Sequence, residues 1–320
     1  MRLAVRELAL LFTLLLLPLS ARADPVAVLA APKGKVMLTS ARRHAKGAAA
    51  ATFGTPLERG DRISVGANSS ATLFFNDGNI IELGAGSSMT ISGRIAAGTA
   101  VGPDRLPREA FGPVANFRIV GSRESGLVVA PVMRSGEPAN APDPLFPRST
   151  DVLDPRPTLA WRAVPAASRY VVTLSSGAGE VWKHECQASS LPFPADAQAL
   201  ADGEYLWDVQ AFDDSRPLSK ATTTFRLVPE VEAHAVRGMV DRMHESAGGA
   251  NAPGGCYLAG AYLFERGFLA DAAEEFTALA RLVPDSPAPQ QALGDVYRAV
   301  GLPDLANAAY RKAKGLSQAR

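Results

Sequence analysis

The C-terminal part of the chain repeats itself at a fixed interval. AGAYLFERGFLADAAEEF, beginning at Ala259, aligns with LGDVYRAVGLPDLANAAY, beginning at Leu293. Gly260 falls on Gly294, Gly267 on Gly301, Ala272 on Ala306 and Phe276 on Tyr310, each pair 34 residues apart. A unit this short cannot enclose a core, so it must stack on neighbours. Gly and Ala at matching places let two helices approach, and the aromatic fills the space beside them. The pattern is helical from Pro229 onward, and Val231, Ala235, Met239 and Met243 suggest one apolar stripe on a helix over Pro229–Glu245.

Upstream the period changes. Residues 33–130 are Gly-rich and β-branched, residues 131–156 are Pro-rich, and residues 157–228 are strand-like again, now with tryptophans. In LFFNDGNIIEL (Leu73–Leu83) the Asp77-Gly78 pair fits a two-residue turn, which sets Phe75 opposite Ile80 and Phe74 opposite Ile81. Both faces of such a hairpin are apolar, so it is expected to be buried on two sides. Asp77 is read as a turn residue, with no His or second carboxylate near it in sequence.

At 320 residues with 47% hydrophobic and 20% charged content, the chain has room for two or three globular domains. Its N-terminus has Arg2 and Arg6 ahead of an uncharged run from Leu8 to Ser20, then Ala21-Arg22-Ala23. This is the layout of a secretory signal peptide, with cleavage expected after Ala23 and a periplasmic or secreted location. The run is shorter than the roughly 20 residues that span a bilayer; membrane association is expected only if residues 1–23 stay uncleaved. Cleavage removes Arg2, Arg6, Arg22 and Glu7, so 33 − 3 = 30 basic and 32 − 1 = 31 acidic residues remain. That balance argues against a nucleic-acid partner. The two cysteines, Cys186 and Cys256, either pair in an oxidising compartment or stay as buried thiols.

Three resemblances follow from these residues. Gly54, Leu57, Gly60-Asp61, Ile63, Gly66, Ala71, Leu73, Phe75, Asp77-Gly78, Ile81, Leu83 and Ser88 make residues 33–92 resemble the FecR-type periplasmic domain. The resemblance implies an all-β module. Family members that relay a signal to a sigma factor carry a cytoplasmic segment before a membrane span, and only six or seven residues precede the apolar run here. PTLAWRAV, SRYVVTLS, EVWKHEC, EYLWDVQAF and ATTTFRLV resemble a fibronectin type III or immunoglobulin-like sandwich over about residues 144–228, with Trp161, Tyr170, Val172, Leu174, either Leu206 or Trp207, and Val209 facing inward. The 34-residue offset resembles the tetratricopeptide repeat, with Pro284 where that family ends a repeat and Cys256 and Gln290 at its usual Trp position. By that resemblance the groove-lining positions are Tyr257, Phe264, Gln291, Asp295 and Arg298, although Tyr257 and Phe264 are equally well placed to pack on a preceding domain.

Chemistry is harder to find. His44, His184, His234 and His244 form no metal-binding spacing, and His234 and His244 read as surface residues. No Gly-x-Ser-x-Gly elbow or P-loop occurs. Asp213-Asp214 and Glu274-Glu275 are adjacent carboxylates whose side chains diverge. Arg59-Gly60-Asp61 reads as a turn before a strand. No catalytic, cofactor or metal residue is assigned, and the chain is read as not an enzyme. Arg42, Arg43 and Lys46 are candidate contacts for an anionic envelope polymer, or else a solvated loop.

The resulting expectation is a multidomain chain: signal peptide 1–23, FecR-like β domain 24–130, Pro-rich linker 131–147, sandwich 148–228, and helical tetratricopeptide-like hairpins 229–320. Its expected role is that of an exported non-catalytic scaffold whose helical groove holds a protein partner. The alternative is a FecR-type signal relay anchored in the inner membrane. As separate modules, the β domains should stay folded without residues 229–320.

Overall fold

A computed structural model describes residues 25–42, 47–75, 79–92 and 141–318. A β-rich N-terminal region is followed by five helices, counted among the described residues. The expected signal peptide, the Asp77-Gly78 pair, Arg43, Lys46 and most of the Pro-rich linker lie outside the described residues.

The first β unit contains β1 (Ala27–Leu29), β2 (Val36–Thr39), β3 (Ala49–Ala50), β4 (Pro56–Leu57), β5 (Arg62–Val65), β6 (Ala71–Phe75), β7 (Ile80–Leu83) and β8 (Ser88–Thr90). They form two four-stranded sheets, ordered β4-β1-β6-β7 and β3-β2-β5-β8. Leu29, Leu57, Ile63, Leu73 and Ile81 fill the core of this unit. Asp61 is buried because its carboxylate accepts hydrogen bonds from the backbone N–H groups of Ala41 (3.0 Å) and Glu58 (2.9 Å). Arg59-Gly60-Asp61 is therefore a structural turn, with Gly60 at φ 88°.

The β6–β7 register differs by one residue from the sequence expectation. Phe74 pairs with Ile80 and Leu73 with Ile81, while the Phe75 N–H donates to the Asn79 carbonyl at 2.9 Å. Three residues, not two, separate the innermost paired positions. A one-residue slip matters because it changes which side chains share a face. In the observed register Leu73 and Ile81 both enter the β core, whereas Phe74 and Ile80 both point to the opposite face. The hairpin is indeed buried on two sides, and helices cover the second.

The second β unit packs two sheets face to face. The larger is ordered β10-β16-β15-β12-β13 and the smaller β14-β11-β9. The strands are β9 (Asp143–Phe146), β10 (Thr150–Val152), β11 (Thr158–Arg162), β12 (Arg169–Ser176), β13 (Gly179–Cys186), β14 (Ser190–Pro192), β15 (Gly203–Asp213) and β16 (Arg216–Leu227). Strict alternation along β12 buries Tyr170, Val172 and Leu174 against Trp161, Trp207 and Val209. Of the two open candidates on β15, Trp207 points inward and Leu206 is 42% exposed. Strand β9 already pairs with β11, so the sandwich begins ahead of the expected boundary at residue 148.

The helices are α1 (Glu230–Ser246), α2 (Pro253–Glu265), α3 (Leu269–Leu282), α4 (Pro287–Ala299) and α5 (Pro303–Gln318). On α1 the buried residues are Ala233, Val236 and Met243, and Val231 is 84% exposed. Steps of four residues drift about 40° each around a helix, so positions spaced 4-4-4 leave a stripe that 3-4-3 spacing keeps. None of the described helices is long and apolar enough to cross a membrane.

Candidate functional site

The two hairpins, α2–α3 and α4–α5, repeat one contact. A Cβ on Gly260 would lie 2.6 Å from Phe276 Cε1, and one on Gly294 would lie 2.5 Å from Tyr310 Cδ1. Only glycine lets each first helix meet the aromatic of the second so closely. The helix ends repeat as well. The N–H groups of Phe268 and Leu302 reach back to the carbonyls of Leu263 (2.9 Å) and Tyr297 (2.8 Å), around Gly267 (φ 88°) and Gly301 (φ 75°). This bonding closes a helix through a left-handed glycine.

Helix α2 is apolar all round, and every residue from Gly254 to Leu263 is buried. A helix of that kind must be covered on all sides. The first β unit covers one side. The Phe53 ring meets Tyr257 edge-on at 6.0 Å, and Phe74 lies close enough that a Cβ on Gly254 would be 3.1 Å from its Cζ. Ser286 caps α4 by accepting from the Ala288 N–H, and its hydroxyl donates to the Phe53 carbonyl at 3.0 Å.

The sandwich holds the hairpins at their other end. Thr150 Oγ1 donates to the Gly267 carbonyl and accepts from the Leu269 N–H, both at 2.8 Å. Arg148 Nε donates to the Val300 carbonyl at 3.0 Å, and Arg237 donates to the Leu153 carbonyl at 2.9 Å. Ala30, Phe53 and Phe74 from the first β unit share one core with Leu153 and Val228 from the sandwich and with the helices. This shared core joins parts that also have cores of their own.

The five expected groove residues divide. Tyr257 is buried under Phe53, and Phe264 packs against the shared core, so the first hairpin's inner face is taken by the chain itself. At the matching places of the second hairpin, Gln291 and Asp295 are half-buried and Arg298 is exposed. Arg298 Nη2 donates to Asp295 Oδ1 at 2.9 Å, and Tyr310 Oη donates to the same oxygen at 2.7 Å. Burial first, then the Asp295 carboxylate, raises the Tyr310 pKa. Of the three basic candidates, Arg42 is exposed and pairs with Glu58 at 3.2 Å; Arg43 and Lys46 lie outside the described residues.

Two features escaped the sequence reading. His244 is not a surface residue: its side chain is 12% exposed and its Nε2 sits 3.0 Å from Glu275 Oε1. Hydrogen bonding to Glu275 is the main cause of its raised pKa. Asp271, at the start of α3, buries Oδ2 without a hydrogen-bond partner, and burial with nearby Glu274 and Asp154 pushes its carboxyl up to about 7. No sequence spacing marks either feature, since His244 and Glu275 are 31 residues apart. Cys186 and Cys256 are both unpaired. Burial pushes the Cys256 thiol up to about 11, which leaves it protonated at neutral pH and a poor nucleophile. Among the described residues no group of three or more His, Cys, Asp and Glu is arranged to hold a metal ion. A recess of about 310 Å³ beside the α2–α3 turn is lined by Thr150, Asp151, Glu204, Arg226 and Gly267. Its Thr150 hydroxyl and Arg226 guanidinium are committed to bonds within the chain.

No family model matches the chain. No curated protein matches it either. Among solved structures, it is similar to the "tetra-tandem repeat in extending region of large adhesion protein", at 14% identity and a TM-score of 0.21. That match covers 64% of this chain, and the chain spans 42% of the length of that structure. A superposition of that quality establishes neither a shared fold nor a shared role.

Proposed function

We propose that this chain is an exported, non-catalytic scaffold of the bacterial periplasm or cell envelope that holds a protein partner on the inner face of its second helical hairpin. The observation that carries the reading is the contrast between the hairpins. Tyr257 and Phe264 are covered from within the chain, whereas Gln291 and Arg298 at the matching positions, with Asp295 between them, are polar and at least partly exposed. The 34-residue glycine–aromatic contact supports a tetratricopeptide-like reading of the helices. The residue pattern over 33–92 supports a FecR-like reading of the first β unit, and the two facing sheets with buried Trp161 and Trp207 support a fibronectin type III-like reading of the second. The residue 1–23 pattern supports export.

The test is crosslinking pull-down from the native envelope with the full chain, wild type against Gln291→Lys with Arg298→Glu. Gln291 is half-buried and Arg298 is exposed, so stability should fall by no more than about 1 kcal/mol, the scale of the lost Arg298–Asp295 surface pair, while the captured partner is lost. Equal capture by the double variant would remove the second hairpin from the binding surface.

A further inference from the structure

His244 lies in the last turn of α1, where the helix dipole favours positive charge. Its imidazole is wedged at the crossing of three helices. A Cβ on Gly255 of α2 would lie 2.8 Å from Nδ1, so only glycine admits the ring there. From α3, Glu275 Oε1 stands 3.0 Å from Nε2. The Cys256 thiol of α2 donates to the Ala250 carbonyl at 3.5 Å, and its pKa is raised by burial first and then by Glu275. The charges that act on the ring are carboxylates: Glu275 on α3 and Asp241 on α1. Glu274 and Asp271 lie on the same helix as Glu275, and burial raises both their pKa values, that of Asp271 to about 7. Protonated His244 is thus the cation that balances a half-buried acidic group.

We propose that His244 and Glu275 form a proton-operated latch that fastens α1 to the first helical hairpin. With the imidazole protonated, Nε2–H and Glu275 make a charge-assisted hydrogen bond shielded from solvent. Nδ1 is buried and makes no hydrogen bond, so Glu275 is the ring's one hydrogen-bond partner among the described residues. With the imidazole neutral, Glu275 keeps its charge and loses the cation opposite it. Helix α1 follows directly on β16, so its grip on α2 and α3 helps fix the sandwich against the hairpins. The folded chain holds this proton more tightly than the unfolded one. The stabilisation is therefore complete below the pKa of free histidine and is lost as pH rises through the higher folded value. This inference does not depend on the location or partner proposed above.

The test uses the full chain in two measurements. Hydrogen exchange of α1 amides, corrected for intrinsic rates, is followed between about pH 5 and 8. Protection in the second half of α1 should fall about threefold or more as pH rises in the wild type. In His244→Gln it should be lower at acid pH and flat across the range. Proton resonances of the His244 imidazole give the second measurement. His244 should titrate above free histidine, about 6.5, and Glu275→Gln should bring it down. Protection independent of pH in the wild type, an unchanged slope in His244→Gln, or titration of His244 at or below the free-histidine value would each overturn the latch.

Discussion

Replacing Gly294 by Ala tests the packing of the hairpins through the sign of its effect. In an exposed helix interior this change stabilises by about 1 kcal/mol, because alanine loses less backbone entropy on folding. Here the new methyl would lie 2.5 Å from Tyr310 Cδ1, against the ordinary carbon–carbon separation of about 3.5–4.0 Å. The ring cannot swing away cheaply, because its hydroxyl is bonded to Asp295 at 2.7 Å. Overpacking of this kind costs about 1–3 kcal/mol, and an interpenetration of about 1 Å belongs at the upper end. Subtracting the propensity gain leaves a net loss of about 2 kcal/mol. Urea unfolding followed by the far-ultraviolet helical signal should show a midpoint lower by about 1 M at a slope of about 2 kcal/mol/M. Gly260→Ala should behave alike against Phe276, whereas Gly315→Ala, with open space around it, should be neutral or mildly stabilising. If Gly294→Ala and Gly260→Ala leave the midpoint unchanged or raise it, the repeated glycine–aromatic contact is not what sets the spacing of the helices.

The remaining predictions concern the shared core and the buried acid. Phe53→Ala should cost about 3–5 kcal/mol and should expose α2 to exchange as well as the first β unit; protection confined to its wild-type level in α2 would refute a common core. Asp271→Asn should gain on the wild type as pH rises. The folded chain keeps a proton on Asp271 up to about 7, so its stability falls between the ordinary carboxylate range and that value. Denaturant midpoints measured across that range should diverge, and parallel curves would show that the carboxyl is solvated.

Legibility in the sequence followed the range of the contacts. The 34-residue offset placed both hairpins correctly, because Gly260 with Phe276 and Gly294 with Tyr310 are local pairs. Alternation placed Tyr170, Val172 and Leu174 inward, because a strand's faces are set by its own period. The β6–β7 register was missed by one residue, because a turn-residue pattern fits two- and three-residue loops alike. The covering of Tyr257 could not be decided, because its cover comes from the far end of the chain. Ser286 and Phe53, which seal the same junction, are 233 residues apart. The His244–Glu275 pair was hidden for the same reason, since each residue looks like ordinary helix surface in its own segment.

The shared core also imposes an order in time. Phe74 and Pro253, the first residue of α2, are separated by 253 − 74 = 179 positions. At about 5–20 residues per second, synthesis takes roughly 10–35 s to cross that interval. Throughout it Phe53 and Phe74 of the first β unit are without the α2 residues that meet them in the finished fold. Those two rings therefore lack their final cover until α2 has been made.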